Sequence, residues 1–171
     1  MLNIFDNINL LGPFFEDCYS ELGIREYSKL VKLSPPTSSK ILKEFEKQDI
    51  LKMRRDRRYL FFRANQESNL LRDLSIVYWK NKFKEIISYL NENLFPDTII
   101  LFGSLSKLEA KKDSDIDLVV LSKLKKDLDL KKFKNKYKRD IQLFIFGSLD
   151  EINKELKKNI LKGIFLVEES K

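Results

Sequence analysis

Histidine is absent from this chain of 171 residues, and cysteine occurs once, at Cys18. The chain therefore lacks the commonest general base and the usual zinc ligand, and a single cysteine allows no intrachain disulfide. These absences exclude histidine-dependent triads and leave carboxylates, with a metal that prefers oxygen ligands, as the route to catalysis. Cys18 stands near Phe14, Phe15 and Leu22, which predicts a buried structural thiol.

Long apolar runs are also missing. No stretch approaches the ~18 apolar residues of a membrane span, and no signal peptide pattern opens the sequence. We therefore expect a cytoplasmic protein with no membrane partner. Only four prolines and five glycines are present, and 43% of the residues are hydrophobic, which suits one ordinary domain or two small ones.

Positive charge is in excess and is unevenly placed. The net charge is +7. Residues 34–63 contain 9 basic and 4 acidic side chains, and residues 123–139 contain 9 and 2. This balance favours polyanionic partners such as nucleic acid or nucleotides, although for the second block a solvated helix face is the favoured interpretation.

The residues with the clearest chemical pattern lie between 99 and 122. An apolar strand over 99–102 ends at Gly103-Ser104, and a second strand, 115–121, begins ten residues later with Asp115-Ile116-Asp117. Side chains alternate along a strand, so both aspartates lie on one face. Two neighbouring carboxylates repel each other unless a cation lies between them, and Mg²⁺ is commonly held by one or two carboxylates plus substrate phosphates.

The glycine and serine supply the complementary half of this pattern. Gly103 would let the backbone come close to a ligand, and a helix that starts at Ser104 would offer free N–H groups to an anion. The sequence therefore predicts a phosphate site and a metal site at one edge of a small sheet. The alternative is a simple turn followed by a solvated strand face.

Gly103-Ser104, ten residues and then Asp115-Ile116-Asp117 resembles the G-S-x10-D-x-D signature of the minimal nucleotidyltransferases, a branch of the DNA polymerase β-like superfamily. The resemblance covers about residues 96–165. It implies transfer of a nucleoside monophosphate, AMP by preference, from Mg²⁺-NTP to a hydroxyl on a protein or RNA such as tRNA. An antitoxin that modifies a HEPN-type toxin is one form this could take.

The same resemblance implies roles for individual residues. Asp115 and Asp117 would be catalytic and would hold Mg²⁺, while Gly103 and Ser104 would bind the β- and γ-phosphates. Lys107, where the family often has arginine, would reach the triphosphate, or is simply a solvated lysine.

Two positions depart from the family pattern. Leu108 stands where the family usually places glycine. On the third strand, 141–146, the expected third carboxylate is replaced by Gln142, an amide that cannot take up a proton near neutral pH. Asp140, at the edge of that strand, could serve as this third site. Transfer with a substrate-assisted deprotonation remains open, since phosphoryl transfer depends mostly on positioning and charge neutralisation; loss of catalysis is the other outcome.

The N-terminal part predicts helix 24–33, a second helix over 35–48 capped by Ser34, and two strands, 50–54 and 57–63, joined around Arg55-Asp56. This order resembles bacterial and archaeal winged-helix transcription regulators. The resemblance implies that helix 35–48 enters the major groove of double-stranded DNA while the hairpin touches its backbone or its minor groove. The candidate DNA-binding residues are Ser39, Lys40, Lys43, Lys47, Arg54, Arg55, Arg57 and Arg58. Protein docking or dimerisation is the alternative, and a homodimer is expected by analogy.

Together these features predict an α+β protein. We expect a winged helix-turn-helix domain over 1–64, a long linker helix over 65–95, and a small mixed-sheet nucleotidyltransferase domain over 96–171. Within these we expect a short first helix over 1–12, a continuous helical stretch over 65–93, helices in 123–139 and over 148–158, and a closing strand over 160–167. The leading hypothesis is a nucleotidyltransferase with a DNA-binding winged helix. The main alternative is a DNA-binding transcription regulator whose second domain senses nucleotide without catalysis, and a dimerisation scaffold is a third.

Overall fold

The computed structural model describes residues 8–168, so most of the helix predicted over 1–12 lies outside the described residues. The helices are α1 (Gly12–Glu16), α2 (Ile24–Val31), α3 (Pro35–Lys47), α4 (Asn69–Lys82), α5 (Lys84–Leu94), α6 (Lys131–Tyr137) and α7 (Lys154–Ile160). The strands are β1 (Leu22–Gly23), β2 (Leu51–Asp56), β3 (Tyr59–Ala64), β4 (Thr98–Phe102), β5 (Ile116–Leu121), β6 (Ile141–Phe146) and β7 (Ile164–Glu168). Single 3-10 turns lie at Leu105–Lys107 and Leu149–Glu151.

The chain forms two compact units. The first contains the residues up to Tyr78 together with Leu108–Lys112, and the second contains Trp79–Lys107 and the residues from Asp113 onwards. The predicted boundaries at 64 and 95 stay a prediction. The continuous helix predicted over 65–93 is wrong in two respects, because the helix begins only at Asn69 and because α4 and α5 are separate helices that meet at Phe83. The backbone of Phe83, with φ −92 and ψ 9, leaves the helical region there.

In the first unit, α2 and α3 precede a hairpin. Strand β3 pairs with both β2 and β1, so the sheet order is β1-β3-β2. Ser34 caps α3 as predicted, since its side chain accepts the N–H of Thr37. The fully buried side chains of this unit include Phe14, Tyr27, Leu42 and Phe62. Cys18 is also buried, 1% exposed, as the sequence predicts.

The hairpin turn lies two residues later than the sequence predicts. Asp56 pairs with Tyr59, so Arg55 and Asp56 belong to β2 and the turn is Arg57–Arg58. Two-residue hairpin loops need positive φ angles, and Arg57 has φ 52. No glycine or asparagine stands there to mark this turn in the sequence.

The second unit contains a four-stranded mixed sheet in the order β6-β5-β4-β7. β4 is antiparallel to both of its neighbours, and β5 and β6 are parallel. One face carries an apolar cluster that includes Ile100, Val119 and Ile160. This confirms the α+β class and the small mixed sheet. Within residues 8–168, no helix has both the length and the apolar character that crossing a membrane requires.

Three elements of this unit are shorter than the sequence predicts. The helix expected within the basic block 123–139 is confined to α6, and residues 124–130 have no regular structure. The helix expected over 148–158 is a 3-10 turn followed by α7, because Asn153 caps a new helix by accepting the N–H of Leu156. The closing strand, expected to begin at Ile160, is β7 and begins at Ile164.

Candidate functional site

Gly103 brings the end of β4 against Asp117. The antiparallel register places Phe102 opposite Asp117, and Gly103 follows with φ +73, where glycine is favoured. A Cβ atom at Gly103 would lie 2.1 Å from Oδ2 of Asp117. The carboxylate therefore occupies space that any side chain at position 103 would fill.

Asp115 and Asp117 form a half-buried acidic pair at the start of β5. Burial, and secondarily the negative charge of Asp115, raise the pKa of Asp117 above its usual range. Among the ion pairs of the described residues, none involves either carboxylate. The negative charge of the pair is therefore uncompensated by the protein, which is the electrostatic condition for binding a cation.

Gln142 completes this group of side chains from β6. The parallel register places it beside Asp117, and its Nε2 donates a hydrogen bond to Oδ2 of Asp115 at 2.7 Å. Asp140 is exposed, and its carboxylate instead forms an ion pair with Lys134 at 3.0 Å. The side chain in contact with the aspartate pair is thus the amide of Gln142.

The helix predicted to start at Ser104 is a single 3-10 turn, Leu105–Lys107. So short a turn has no appreciable dipole, and any anion would be held by individual N–H groups and side chains. The turn is closed by the N–H of Lys107, which donates to the carbonyl of Ser104 at 3.2 Å. Within the described residues the hydroxyl of Ser104 makes no hydrogen bond, and Lys107 is half-buried on the same turn.

Two supporting residues were missed from the sequence. The hydroxyl of Ser106 donates to the carbonyl of Gly103 at 2.9 Å and fixes the turn. Arg139, only 7% exposed, donates from Nη1 to the carbonyl of Ser114 at 2.5 Å, one residue before Asp115. For Ser106, a hydroxyl three residues after a glycine is only a weak sequence signal. For Arg139, nothing in the lysine-rich block indicates which basic side chain is buried.

Leu108 has the left-handed conformation that its glycine-like position requires. Its φ is +57, which costs a non-glycine residue ~1 kcal/mol or more. The side chain is 1% exposed, and the carbonyl accepts a hydrogen bond from Nε2 of Gln66 at 2.6 Å. Burial and this bond offset the conformational cost within the first unit.

The donor set suits Mg²⁺ with few protein ligands. Within residues 8–168 there is no group of three or more acidic, cysteine or histidine side chains placed to hold a metal. Two carboxylates and one amide oxygen are hard oxygen donors, and Mg²⁺ typically completes its shell with water and substrate phosphate. The pair Asp115 and Asp117, with the space left by Gly103, fits such a site.

The candidate DNA-binding residues of the first unit are mostly exposed. On α3, Lys40, Lys43 and Lys47 are exposed and Ser39 is half-buried; on the hairpin, Arg54, Arg55, Arg57 and Arg58 are all exposed. Arg54 differs from the others because it forms an ion pair with Glu21, with Nη2 and Oε2 2.8 Å apart, and lies over the ring of Phe61. Its charge is therefore largely compensated within the unit.

Comparison with known proteins gives one family. Residues 84–171, just over half of the chain, match the family described as polymerase beta, nucleotidyltransferase. Neither the search of curated proteins nor the search of solved structures gives a significant match. The matched region contains α5 and the complete four-stranded sheet, including the acidic pair.

Proposed function

Since the chain belongs to the polymerase beta nucleotidyltransferase family, we propose that it transfers a nucleoside monophosphate, AMP by preference, from an NTP to a hydroxyl group. The hydroxyl oxygen forms a bond to the α-phosphorus, the bond from that phosphorus to the α,β-bridging oxygen breaks, and pyrophosphate leaves with the electron pair. The main support is the uncompensated pair Asp115 and Asp117 seated against Gly103.

Each site residue has a role in this proposal. Asp115 and Asp117 would hold Mg²⁺, which nucleotidyltransferases of this family typically use and which would neutralise charge on the triphosphate. The N–H groups after Gly103, the hydroxyl of Ser104 and the ammonium of Lys107 would bind the β- and γ-phosphates. Gly103 has no side chain, so the backbone can approach them closely.

Gln142 determines how the proton leaves. An amide cannot accept the proton of the attacking hydroxyl, so we propose that an oxygen of the nucleotide's own phosphates takes it. Gln142 instead holds Asp115 in place by donating a hydrogen bond to Oδ2. If Gln142 is also a metal ligand, its side-chain amide would have to rotate so that the oxygen faces the metal.

The experiment that tests this proposal compares two labels on the same nucleotide. With Mg²⁺ and a heat-inactivated cell extract depleted of small molecules as acceptor source, we expect label from α-³²P-ATP on a macromolecule and none from γ-³²P-ATP. Equal labelling from both positions would indicate phosphoryl transfer or simple retention, and would contradict nucleotidyl transfer.

The amide at position 142 also favours a second candidate, a transcription regulator that senses nucleotide without chemistry. This candidate predicts Mg²⁺-dependent binding of ATP with no pyrophosphate released in the presence of any acceptor. Retention of both aspartates favours catalysis, since a sensor has no need for an acidic pair that destabilises itself.

We further propose that the first unit is a winged helix that binds double-stranded DNA through α3 and the hairpin. The exposed lysines of α3 and the exposed arginines of the turn support this proposal, because each can neutralise a phosphate. Ser39 lies on the same helix. These residues would give affinity rather than base specificity, and a homodimer would let two copies meet two half-sites.

Removing two of these lysines should weaken DNA binding uniformly across sequences. For Lys43→Ala with Lys47→Ala we expect ~10-fold lower affinity and a salt dependence whose slope falls by about two, since each phosphate contact contributes about one. The matched control is Lys158→Ala with Lys162→Ala, which removes the same charge from the second unit. Fluorescence anisotropy between 50 and 200 mM salt measures both; an equal effect in the control would refute a specific role for α3.

For the acceptor we propose only its chemical class. Resemblance supports a protein or an RNA such as tRNA, and one form is an antitoxin that modifies a HEPN-type toxin while its winged helix binds an operator. The two acceptor classes call for different surfaces beside the aspartate pair.

A further inference from the structure

β6 is an edge strand that begins beside the acidic pair. It pairs with β5 alone, in the order β6-β5-β4-β7. Gln142, its second residue, contacts Asp115, so the free edge starts next to the proposed reacting atoms. Exposed strand edges are normally covered, charged or twisted away, because they recruit other strands.

The main-chain groups of three residues face this free edge. The carbonyls of Asp140 and Phe146 accept bonds from the N–H groups of Ile116 and Ser122, so the even-numbered residues of β6 point toward β5. The odd-numbered residues, Ile141, Leu143 and Ile145, therefore direct their N–H and C=O groups away from the sheet. Within the described residues, none of the backbone bonds formed outside the sheets involves them.

A groove of about 450 Å³ runs along the same edge. One side is formed by Ile141, Leu143 and Ile145, and the other by the irregular segment 126–130 and the start of α6. Lys126, Lys131 and Lys134 line it together with Asp127 and Asp129, and Lys134 pairs with Asp140. These two aspartates are the acidic side chains of block 123–139, which has 9 basic ones. The groove thus combines unpaired main-chain groups, apolar side chains and mixed charges, within a segment that has an excess of positive charge.

We infer that this edge binds an extended, acidic segment of a protein acceptor as an added strand of the sheet. The inference rests on the proposed function and selects a protein rather than an RNA, because only a polypeptide offers N–H and C=O groups in the spacing of a strand. Alternate side chains would occupy the groove, and acidic ones would meet the lysines.

The added strand would present its hydroxyl to the nucleotide. Strands lie ~4.8 Å apart, so a residue paired with Gln142 lies one spacing from β6 and two from β5. Its side chain would share the face of Gln142 and Asp117. The hydroxyl oxygen would then bond to the α-phosphorus as pyrophosphate leaves, and the proton would pass to a phosphate oxygen.

Two variants test the edge without touching the aspartate pair. Leu143→Pro removes an outward N–H and places a ring on the edge while keeping the hydrogen bonds to β5. Lys126→Glu with Lys131→Glu reverses two of the positive charges that line the groove and leaves the strand intact; Lys158→Glu with Lys162→Glu is the matched control. The probes are the synthetic peptides Glu-Glu-Val-Tyr-Val-Glu-Glu and its serine counterpart, each with a control N-methylated at alternate amides.

With α-³²P-ATP and Mg²⁺, we expect labelling of an unmethylated peptide to fall at least ~10-fold in both test variants and in the N-methylated peptide, and to be unchanged in the matched control. Mg²⁺-dependent ATP binding, measured by calorimetry, should be equal in all proteins. If ATP binds but neither peptide is labelled, or if both variants label the peptide as well as wild type does, the edge proposal is wrong; the comparison of α- and γ-labelled ATP then decides the proposed function separately. If ATP does not bind, the proposed function itself fails.

Other occupants of the edge have distinct signatures. Labelling of total tRNA that Leu143→Pro does not affect would identify an RNA acceptor. A change in sedimentation from dimer to monomer in Leu143→Pro would identify a second copy of this chain on the edge. Either result overturns the peptide-docking inference.

Discussion

Asp117→Asn is expected to reduce nucleotidyl transfer at least ~1,000-fold, because it removes half of the only acidic pair at the site and with it the charge that would hold Mg²⁺. Asparagine has nearly the same shape and still fits beside Gly103, so the loss would come from charge and not from packing. Asp113→Asn is the matched control, since Asp113 is an exposed acid two residues before the pair and should leave transfer within ~2-fold.

The same substitution should make the metal-free protein more stable. Burial and Asp115 raise the pKa of Asp117, so the folded state binds this proton more tightly than the unfolded state. The free energy of unfolding of the metal-free wild type therefore falls as pH rises through the pKa of Asp117. The full destabilisation is present above the pKa that Asp117 has in the folded state. In EDTA at pH 7, Asp117→Asn should melt at a higher temperature than wild type, and the difference should shrink as pH is lowered toward 4.

Thermal melts between pH 4 and 8, with and without Mg²⁺, measure how much the ionised Asp117 destabilises the metal-free protein and how much Mg²⁺ restores. Mg²⁺ should raise the melting temperature of wild type and of Asp113→Asn, and should have little effect on Asp117→Asn. A lower melting temperature for Asp117→Asn in EDTA would show that the carboxylate contributes to the fold and would contradict the assigned role.

Gly103→Ala is expected to reduce transfer at least ~100-fold, because a 1 Å displacement at a reacting centre has that order of effect. The Cβ atom would lie 2.1 Å from Oδ2 of Asp117, and the φ of +73 is strained for alanine. Asp117 would have to move or the end of β4 would have to shift. Either change would separate the proposed metal ligands from the turn proposed to bind phosphate.

Gly23→Ala is the control for a glycine substitution as such. A Cβ atom at Gly23 meets its nearest neighbour at 3.5 Å, an ordinary contact, and no positive φ is required there. We expect it to leave transfer and ATP affinity unchanged. If Gly103→Ala keeps transfer within ~3-fold of wild type, the close approach to Asp117 has no role in the reaction.

Much of the nucleotidyltransferase sheet could be predicted because local signals agree there. Alternation and apolar content mark β4 and β5, and the fixed spacing from Gly103 to Asp115 marks the site. The pattern requires glycine at position 103 because Asp117, the second aspartate of the pattern, occupies the space that a side chain there would fill. The sequence also predicts that Gln142 faces the same way as the two aspartates. The parallel pairing of β5 and β6 places it beside Asp117.

Other features depend on tertiary contacts that no local pattern encodes. Leu108 takes a left-handed conformation because burial offsets its cost, and the hairpin turns at Arg57–Arg58 because the register of the strands places it there. The assignment of Leu108–Lys112 to the first unit was not foreseen either. This segment is tied to the first unit by a contact between residues far apart in the sequence, because the N–H of Cys18 donates to the carbonyl of Ala110 at 2.8 Å.

The role of the acidic pair is tested most directly by locating the metal. We predict that crystals grown with Mn²⁺ and a non-hydrolysable ATP analogue show an anomalous peak ~2.2 Å from oxygens of both Asp115 and Asp117, with the β- and γ-phosphates at Gly103 and Ser104. An anomalous peak elsewhere, or an analogue bound away from the Gly103 turn, would contradict it.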